Sequence, residues 1–143
     1  MLISDLLRTK GSDVVTIGPG ANVLEAIRLL VERRIGAVVV TAGDEVVGIL
    51  SERDILRLTV RGPERVAATP VSDVMTRDLV VALPSDDVPY VMAIMTHNRV
   101  RHLPVMDKGR LVGIVSIGDV VNASLSQVEA ENRWLKDYIA GTG

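Results

Sequence analysis

The chain of 143 residues contains an internal repeat, and this repeat limits what the chain can fold into more than any other feature. Residues 13–60 align with residues 78–125 without a gap, and the apolar positions of the two segments stay in phase. Identical residues are paired along the alignment, among them Pro19 with Pro84, Arg34 with Arg99, Gly48 with Gly113, Ser51 with Ser116 and Asp54 with Asp119. Two copies are too few for a solenoid, so the repeat predicts two similar units packed face to face.

Each copy has the pattern of a strand, a helix, two strands and a second helix. In the first copy, DVVTI is a short strand, and ANVLEAIRLLVERR places Val23, Ile27, Leu30 and Val31 on one face of a helix. IGAVVVT and EVVGILS are strands joined at AGD, and ERDILRLTV is the second helix. The second copy repeats this order as DLVVAL, SDDVPYVMAIMTHNR, RHLPVM, RLVGIVS and GDVVNASL. The order β-α-β-β-α, twice, predicts an α/β (α+β) sandwich whose helices cover its sheets.

The repeats divide the chain into four predicted parts. Residues 1–62 form the first unit and residues 72–126 the second, and the segment between them, residues 63–71, contains two prolines and is interpreted as a linker. Residues 127–143 are predicted to form a C-terminal helix and tail. Short leaders, SDLL and SDVM, precede the two copies, and each opens with a serine that can cap a helix.

The C-terminal segment has the apolar spacing of a helix that packs against another helix. The positions recur at alternating steps of four and three residues and comprise Val121, Leu125, Val128, Asn132, Leu135 and Ile139. A single polar residue in such a seam can set the register and the number of partners, and here it is an asparagine. The pattern predicts a homodimer. The alternative is that this helix packs back on its own domain.

Composition excludes several classes of function. The chain has no cysteine, which removes disulfides, thiolate catalysis and zinc–thiolate sites. It has no phenylalanine, one tryptophan and two tyrosines, and its net charge is −2, so base stacking and non-specific nucleic-acid binding have little support. No apolar run is long enough to span a bilayer, and the N-terminal sequence lacks the pattern of a signal peptide. These features predict a cytoplasmic protein that binds neither nucleic acid nor membrane.

The motif Gly-x-x-Ser-x-x-Asp closes the third strand of each copy and opens the helix that follows. A serine at a strand end and an aspartate three residues later both point toward the same helix N-terminus, where unpaired N–H groups and the helix dipole favour a phosphate. The same spacing is close to that of a capping box, in which both side chains only cap N–H groups. Capping and ligand binding are compatible, and both interpretations stand.

The repeated units, with VVGILSERD, LVGIVSIGD and RHLPVMD, resemble tandem CBS domains, a pair of which is called a Bateman module. The resemblance covers roughly residues 1–126. It implies two clefts about a pseudo-two-fold axis, which in many members hold adenosine-containing ligands such as AMP, ADP, ATP, S-adenosylmethionine or NAD(H). It also implies that Asp54 and Asp119 accept hydrogen bonds from ribose hydroxyls, and that Ser51 and Ser116 contact ribose or phosphate.

The two copies differ where the resemblance places a phosphate. The second copy has Arg99, Arg101 and His102, whereas the aligned segment of the first has Arg34, Gly36 and Ala37. Guanidinium groups suit phosphate oxygens, so two inequivalent clefts are predicted, with an anion favoured beside the second copy. The alternative is a solvated strand edge.

An apolar slot for adenine is implied at positions that are also candidates for the core: Thr16, Ile17, Ile35, Gly36, Ala37, Val81, Ala82 and Pro104. Lys10 in the first leader is expected to be solvated; the alternative is that it closes over a phosphate.

An enzyme is not predicted. Only His97 and His102 are available as bases for a serine nucleophile, and no metal-ligand spacing occurs. The predicted function is a regulatory module that binds AMP, NAD(H) or ATP and passes the signal to a protein target that the sequence does not identify. The alternative is a ligand-free dimerisation or protein-interaction module.

Overall fold

A computed structural model describes residues 1–140 of the chain, and its elements follow the predicted order except that the first strand of the second copy is not formed. Two additional 3₁₀ turns, Pro63–Arg65 and Val71–Asp73, lie between the copies. The helices and strands in chain order are α1 (Ile3–Lys10), β1 (Thr16–Ile17), α2 (Val23–Arg33), β2 (Ala37–Ala42), β3 (Glu45–Ser51), α3 (Glu52–Arg61), α4 (Val88–Asn98), β4 (His102–Asp107), β5 (Arg110–Ser116) and α5 (Ile117–Ile139). The α/β class, the two small sheets and the C-terminal helix are confirmed.

The two β-hairpins have the same register. Strand β2 pairs antiparallel with β3, and β4 pairs antiparallel with β5, so that Val40 faces Gly48 and Val105 faces Gly113. Each hairpin also has a register shift at the same aligned position, directly after the valine that faces the glycine. The shared apolar pattern of the copies therefore produces the same pairing twice, as expected when one face of a strand is buried.

The first predicted strand of the second copy, DLVVAL, forms only an isolated parallel bridge between Ala82 and Val105. In the first copy the aligned residues belong to β1, which pairs parallel with β2, and the Val39 N–H donates to the Val15 carbonyl at 3.3 Å. Pro104 is aligned with Val39 and has no N–H, so the second copy lacks this hydrogen bond. The prediction of a full strand here is wrong for that reason.

Each leader packs against the opposite copy. In the hydrophobic core of the second copy, Ile3, Leu6 and Leu7 of α1 pack with residues of α4, β4, β5 and α5. In the core of the first copy, Met75 of the second leader and Val71, the last residue of the linker, pack with residues of α2, β2 and β3. The exchange ties the two units together, because neither core is complete without the leader that precedes the other copy.

Helix α2 buries a slightly different face from the one predicted. Val23, Ala26 and Leu30 are buried, as helical spacing requires. Val31 is 72% exposed and faces outward, and Ile27 is half-buried at the boundary of the buried face.

Helix α5 continues without interruption from the second copy into the C-terminal segment. Every residue from 125 to 140 is exposed, which contradicts the alternative that this segment packs back on its own domain. Residues 141–143 of the predicted tail lie outside the described residues. Within residues 1–140, no helix combines the length and apolar character needed to cross a membrane.

Candidate functional site

Both Ser-x-x-Asp motifs form capping boxes. At the start of α3 the Ser51 N–H donates to Asp54 Oδ2 at 2.9 Å, and the Asp54 N–H donates to Ser51 Oγ at 3.4 Å. At the start of α5 the Ser116 N–H donates to Asp119 Oδ2 at 2.8 Å, and the Asp119 N–H donates to Ser116 Oγ at 3.1 Å. The capping interpretation is therefore confirmed in both copies, and it orients each carboxylate at a helix N-terminus.

Asp54 is buried, with both carboxylate oxygens engaged. Its residue exposure is 7%. Oδ2 also accepts from Ser51 Oγ at 3.1 Å, and Oδ1 accepts from the Thr76 hydroxyl at 3.3 Å. The guanidinium of Arg57 lies 3.9 Å from Oδ1, but this arginine side chain is three-quarters exposed. A new hydrogen-bond donor would therefore have to compete with Thr76 for this carboxylate.

Asp119 has a more open carboxylate and a different third partner. Its side chain is 25% exposed. Oδ2 accepts from the Lys10 ammonium as well as from Ser116, and Oδ1 accepts no hydrogen bond from the described residues. Burial raises the pKa of Asp119, but the hydrogen bond and charge of Lys10, with the bonds from Ser116, outweigh burial and lower this pKa below 3.8. Asp119 is thus a carboxylate at neutral pH with one oxygen still able to accept.

Lys10 of the first leader and Thr76, directly after the second leader, are these third partners, and sequence reasoning missed both. Lys10 also donates to the Ile114 carbonyl at 2.7 Å, so the prediction of a solvated lysine is wrong. Thr76 follows the second leader and reaches Asp54. Aligning the serines of the leaders pairs Arg8 with Thr76 rather than Lys10, so no sequence spacing marks the two residues as equivalent.

His102 lies between the copies. A Cβ atom added to Gly36 would lie 3.0 Å from both Cε1 and Nε2 of its ring, so the absence of a side chain at residue 36 makes room for the imidazole. Burial lowers the pKa of His102, the charges of Lys10 and Arg101 lower it further, and Glu52 and Asp119 oppose them. The imidazole is therefore predominantly neutral at pH 7, with one ring nitrogen able to donate and the other able to accept a hydrogen bond.

A pocket of about 490 Å³ is lined by Arg99 and Arg101 and also by Arg53 of the first copy. The Arg53 guanidinium donates a hydrogen bond to the Arg99 carbonyl at 3.4 Å. The aligned pocket of the first copy, about 550 Å³, is mostly apolar and includes Ile35 and Gly36. Neither pocket is lined by the serines or aspartates of the two motifs. The two predicted arginines therefore line a pocket that does not include the Asp119 carboxylate, and His102 lines neither pocket.

The predicted adenine positions fall into three groups, and Ile35 and Gly36 form one of them, half-buried in the lining of the first copy's pocket. Ile17, Ala37, Ala82 and Pro104 are buried, which agrees with their alternative interpretation as core residues. Thr16 and Val81, which are aligned between the copies, are exposed, Thr16 in β1 and Val81 next to the isolated bridge of Ala82. Of the whole set, these two exposed residues are the most accessible to a ligand.

Comparison with known proteins identifies the repeat. The family model for the CBS domain matches residues 3–61 and again residues 71–126. The chain belongs to the CBS-domain family. The two matches correspond to the two copies, each including its own leader, so this is a tandem pair as the resemblance implied.

Solved CBS proteins share this fold over most of the chain, and a curated CBS relative aligns with most of its sequence. A CBS-domain-containing protein from Agrobacterium tumefaciens is 43% identical, with a TM-score of 0.84 over 87% of this chain and 99% of that one. The CBS domain-containing protein YhcV of Bacillus subtilis is 34% identical over 90% of this chain and 91% of its own length. A CBS domain protein from Pyrobaculum aerophilum, solved in complex with AMP, is 28% identical, with a TM-score of 0.74 over 83% of this chain and 89% of that one.

Proposed function

We propose that this CBS pair is a non-catalytic regulatory module that binds an adenosine-containing ligand, with Asp119 as the acceptor for the ribose hydroxyls. One observation carries the proposal: the Asp119 carboxylate is ionised, held by the Ser116 amide and partly exposed, and its Oδ1 has no donor among the described residues. The AMP complex of the Pyrobaculum aerophilum relative supports the choice of ligand class.

The neighbourhood of Asp119 suits a nucleotide. A ribose offers two adjacent hydroxyl donors, and a carboxylate is an acceptor that forms strong, charge-assisted hydrogen bonds with them. Ser116 begins a helix of 23 residues, whose dipole favours an anion at this end. In this proposal His102 and Arg101 contact the phosphate side of the ligand, and Thr16 with Val81 marks the edges of the two adenine slots.

We infer that the two clefts are inequivalent. Asp54 is buried with both oxygens engaged, and the first copy has Gly36 and Ala37 where the second has Arg101 and His102. The Asp119 cleft is therefore the stronger ribose site in this proposal, and Asp54 binds only after Thr76 gives way. AMP and NAD(H) are the first ligands to test, followed by ATP.

The proposed output is a change in packing between the two copies. A ligand that touches both copies stabilises the arrangement in which its contacts are best. The exchanged leaders provide the mechanical link, since each belongs to the core of the opposite copy. The altered surface would be sensed by a protein target, and a cytoplasmic location stays a prediction.

A homodimer is proposed as the assembled form. The exposed half of α5 carries the apolar seam, with Leu125 at 55%, Val128 at 51% and Ile139 at 75% exposure. Trp134 and Tyr138 stack on the same helix with ring centroids 5.7 Å apart. Pairing with a second α5 would cover apolar area that a monomer leaves in water.

The test of ribose binding is calorimetry with AMP. Asp119→Ala removes a charged acceptor, so AMP affinity should fall about 10- to 150-fold. Asp54→Ala should have the smaller effect, and Asp107→Ala, an exposed aspartate at the end of β4, serves as the matched control with unchanged affinity. Equal affinity of wild type and both motif variants would exclude the ribose assignment.

The second candidate is an interaction module without a ligand, which the exposed stripe of α5 favours. The two candidate functions predict different melting temperatures when an adenosine ligand is added. An adenosine ligand at 100 times its dissociation constant stabilises the folded state by about 2.7 kcal/mol. If AMP, NAD(H) and ATP all leave the melting temperature unchanged, the interaction module is the better description.

A further inference from the structure

The two motif carboxylates have the same capping geometry but receive different third partners from the exchanged leaders. Asp54 accepts from the neutral hydroxyl of Thr76, and Asp119 accepts from the ammonium of Lys10. This difference separates the two clefts more sharply than the residues at the start of β4 do, because it acts directly on the proposed ribose acceptor.

Lys10 is held in place at both ends. Its backbone is the last residue of α1, which packs into the second core, and its side chain is 31% exposed. In the first copy the Thr76 amide donates to the Ile49 carbonyl at 2.8 Å. In the second copy the ammonium of Lys10 donates to Ile114, the residue aligned with Ile49. In the second copy the Lys10 ammonium therefore takes the place that the Thr76 N–H has in the first copy, and it adds a positive charge there.

The charges around the two carboxylates follow from this replacement. Beside Asp119 lies the Lys10 ammonium, and the charges of Lys10 and Asp119 both act on the neighbouring neutral His102. Beside Asp54 the only cation among the described residues is Arg57, at 3.9 Å and largely in water, where its interaction is weak.

We propose that Lys10 makes the Asp119 cleft selective for an adenosine ligand that carries a phosphate. This inference rests on the proposed function. A ribose has two hydroxyl donors and only Oδ1 is free of a donor from the described residues, so the second hydroxyl of a neutral adenosine competes with the ammonium for Oδ2 and offers the ammonium nothing in return. A nucleotide provides a new anionic partner for Lys10 while its ribose takes the carboxylate, so the charge stays paired throughout.

The experiment compares AMP with adenosine by calorimetry on the full chain. The measured quantity is the ratio of the adenosine dissociation constant to the AMP dissociation constant. Lys10→Met keeps the length of the side chain and removes its charge, and it should lower this ratio about 10- to 150-fold. Lys10→Arg should keep most of the ratio. Arg8→Met, on an exposed position of the same helix, is the matched control and should leave the ratio unchanged.

A second readout does not depend on ligand. In Lys10→Met the carboxyl pKa of Asp119, followed by NMR, should rise, because the ammonium that lowers it is gone. An unchanged carboxyl pKa in a folded variant overturns the inference.

The outcomes separate this inference from the proposed function. If AMP and adenosine both bind and Lys10→Met leaves their ratio unchanged, or weakens both equally, Lys10 does not select the ligand and the proposed function stands. If neither ligand binds wild type or variant, both the inference and the proposed function are overturned.

Discussion

Gly113→Ala tests whether the exchanged leaders are packed as described. Gly113 lies in β5 opposite Val105, and a Cβ atom added there would lie 2.7 Å from Cδ2 and 2.9 Å from Cδ1 of Leu7. Carbon atoms in a packed core approach to about 3.5–4.0 Å, so the methyl group would overlap with α1. The substitution therefore pushes the first leader away from the second core.

Overpacking of this kind costs about 1–3 kcal/mol of unfolding free energy. For a chain of this length that is a fall in melting temperature of about 3–10 °C. Gly48→Ala should cost more, because its Cβ would meet Met75 Sδ at 2.6 Å and also the Thr76 carbonyl oxygen at 3.0 Å. A backbone atom cannot rotate away as a side chain can. Gly18→Ala is the control, since nothing lies within 4 Å of its added Cβ.

The assay is urea unfolding followed by circular dichroism, with Leu7→Ala combined with Gly113→Ala in a double-mutant cycle. Leu7→Ala removes the clashing carbons, so the two substitutions together should cost less than the sum of their separate costs, by about 0.5–3 kcal/mol. Two results would refute the packing argument: a Gly113→Ala variant as stable as Gly18→Ala, or strict additivity with Leu7→Ala.

Two further predictions concern pH and assembly. Burial lowers the pKa of His102 below 6.5 in the folded chain. The unfolded chain therefore binds the proton more tightly than the folded chain does, and the free energy of unfolding falls as pH drops from 6.5 toward the lower pKa of the folded state. His102→Gln should flatten the loss of unfolding free energy between about pH 8 and pH 5, and an unchanged slope would contradict the described burial. Leu125→Glu should convert the proposed dimer to a monomer in sedimentation, whereas Gln127→Glu on the same helix should not; a wild type that sediments as a monomer excludes the proposed α5 dimer.

The sequence was sufficient for features that depend on residues close together in the chain. The repeat predicted two units of one fold, and the hairpins share even their register shift. Both capping boxes join a serine to an aspartate three positions later and were foreseeable from that spacing alone. The incomplete strand of the second copy had a readable signal as well, because Pro104 has no N–H to donate to a neighbouring strand.

The partner of each motif carboxylate was decided by tertiary structure. Lys10 and Asp119 are 109 residues apart along the chain. Helix α1 lies in the core of the second copy although it directly precedes the first. Apolar periodicity shows that a leader has a face to bury, but both cores offer an aliphatic surface that could cover it. Only the packing of the two copies selects one of them. That selection sets a lysine against Asp119 and a threonine against Asp54, and thereby distinguishes two motifs that are matched in the sequence.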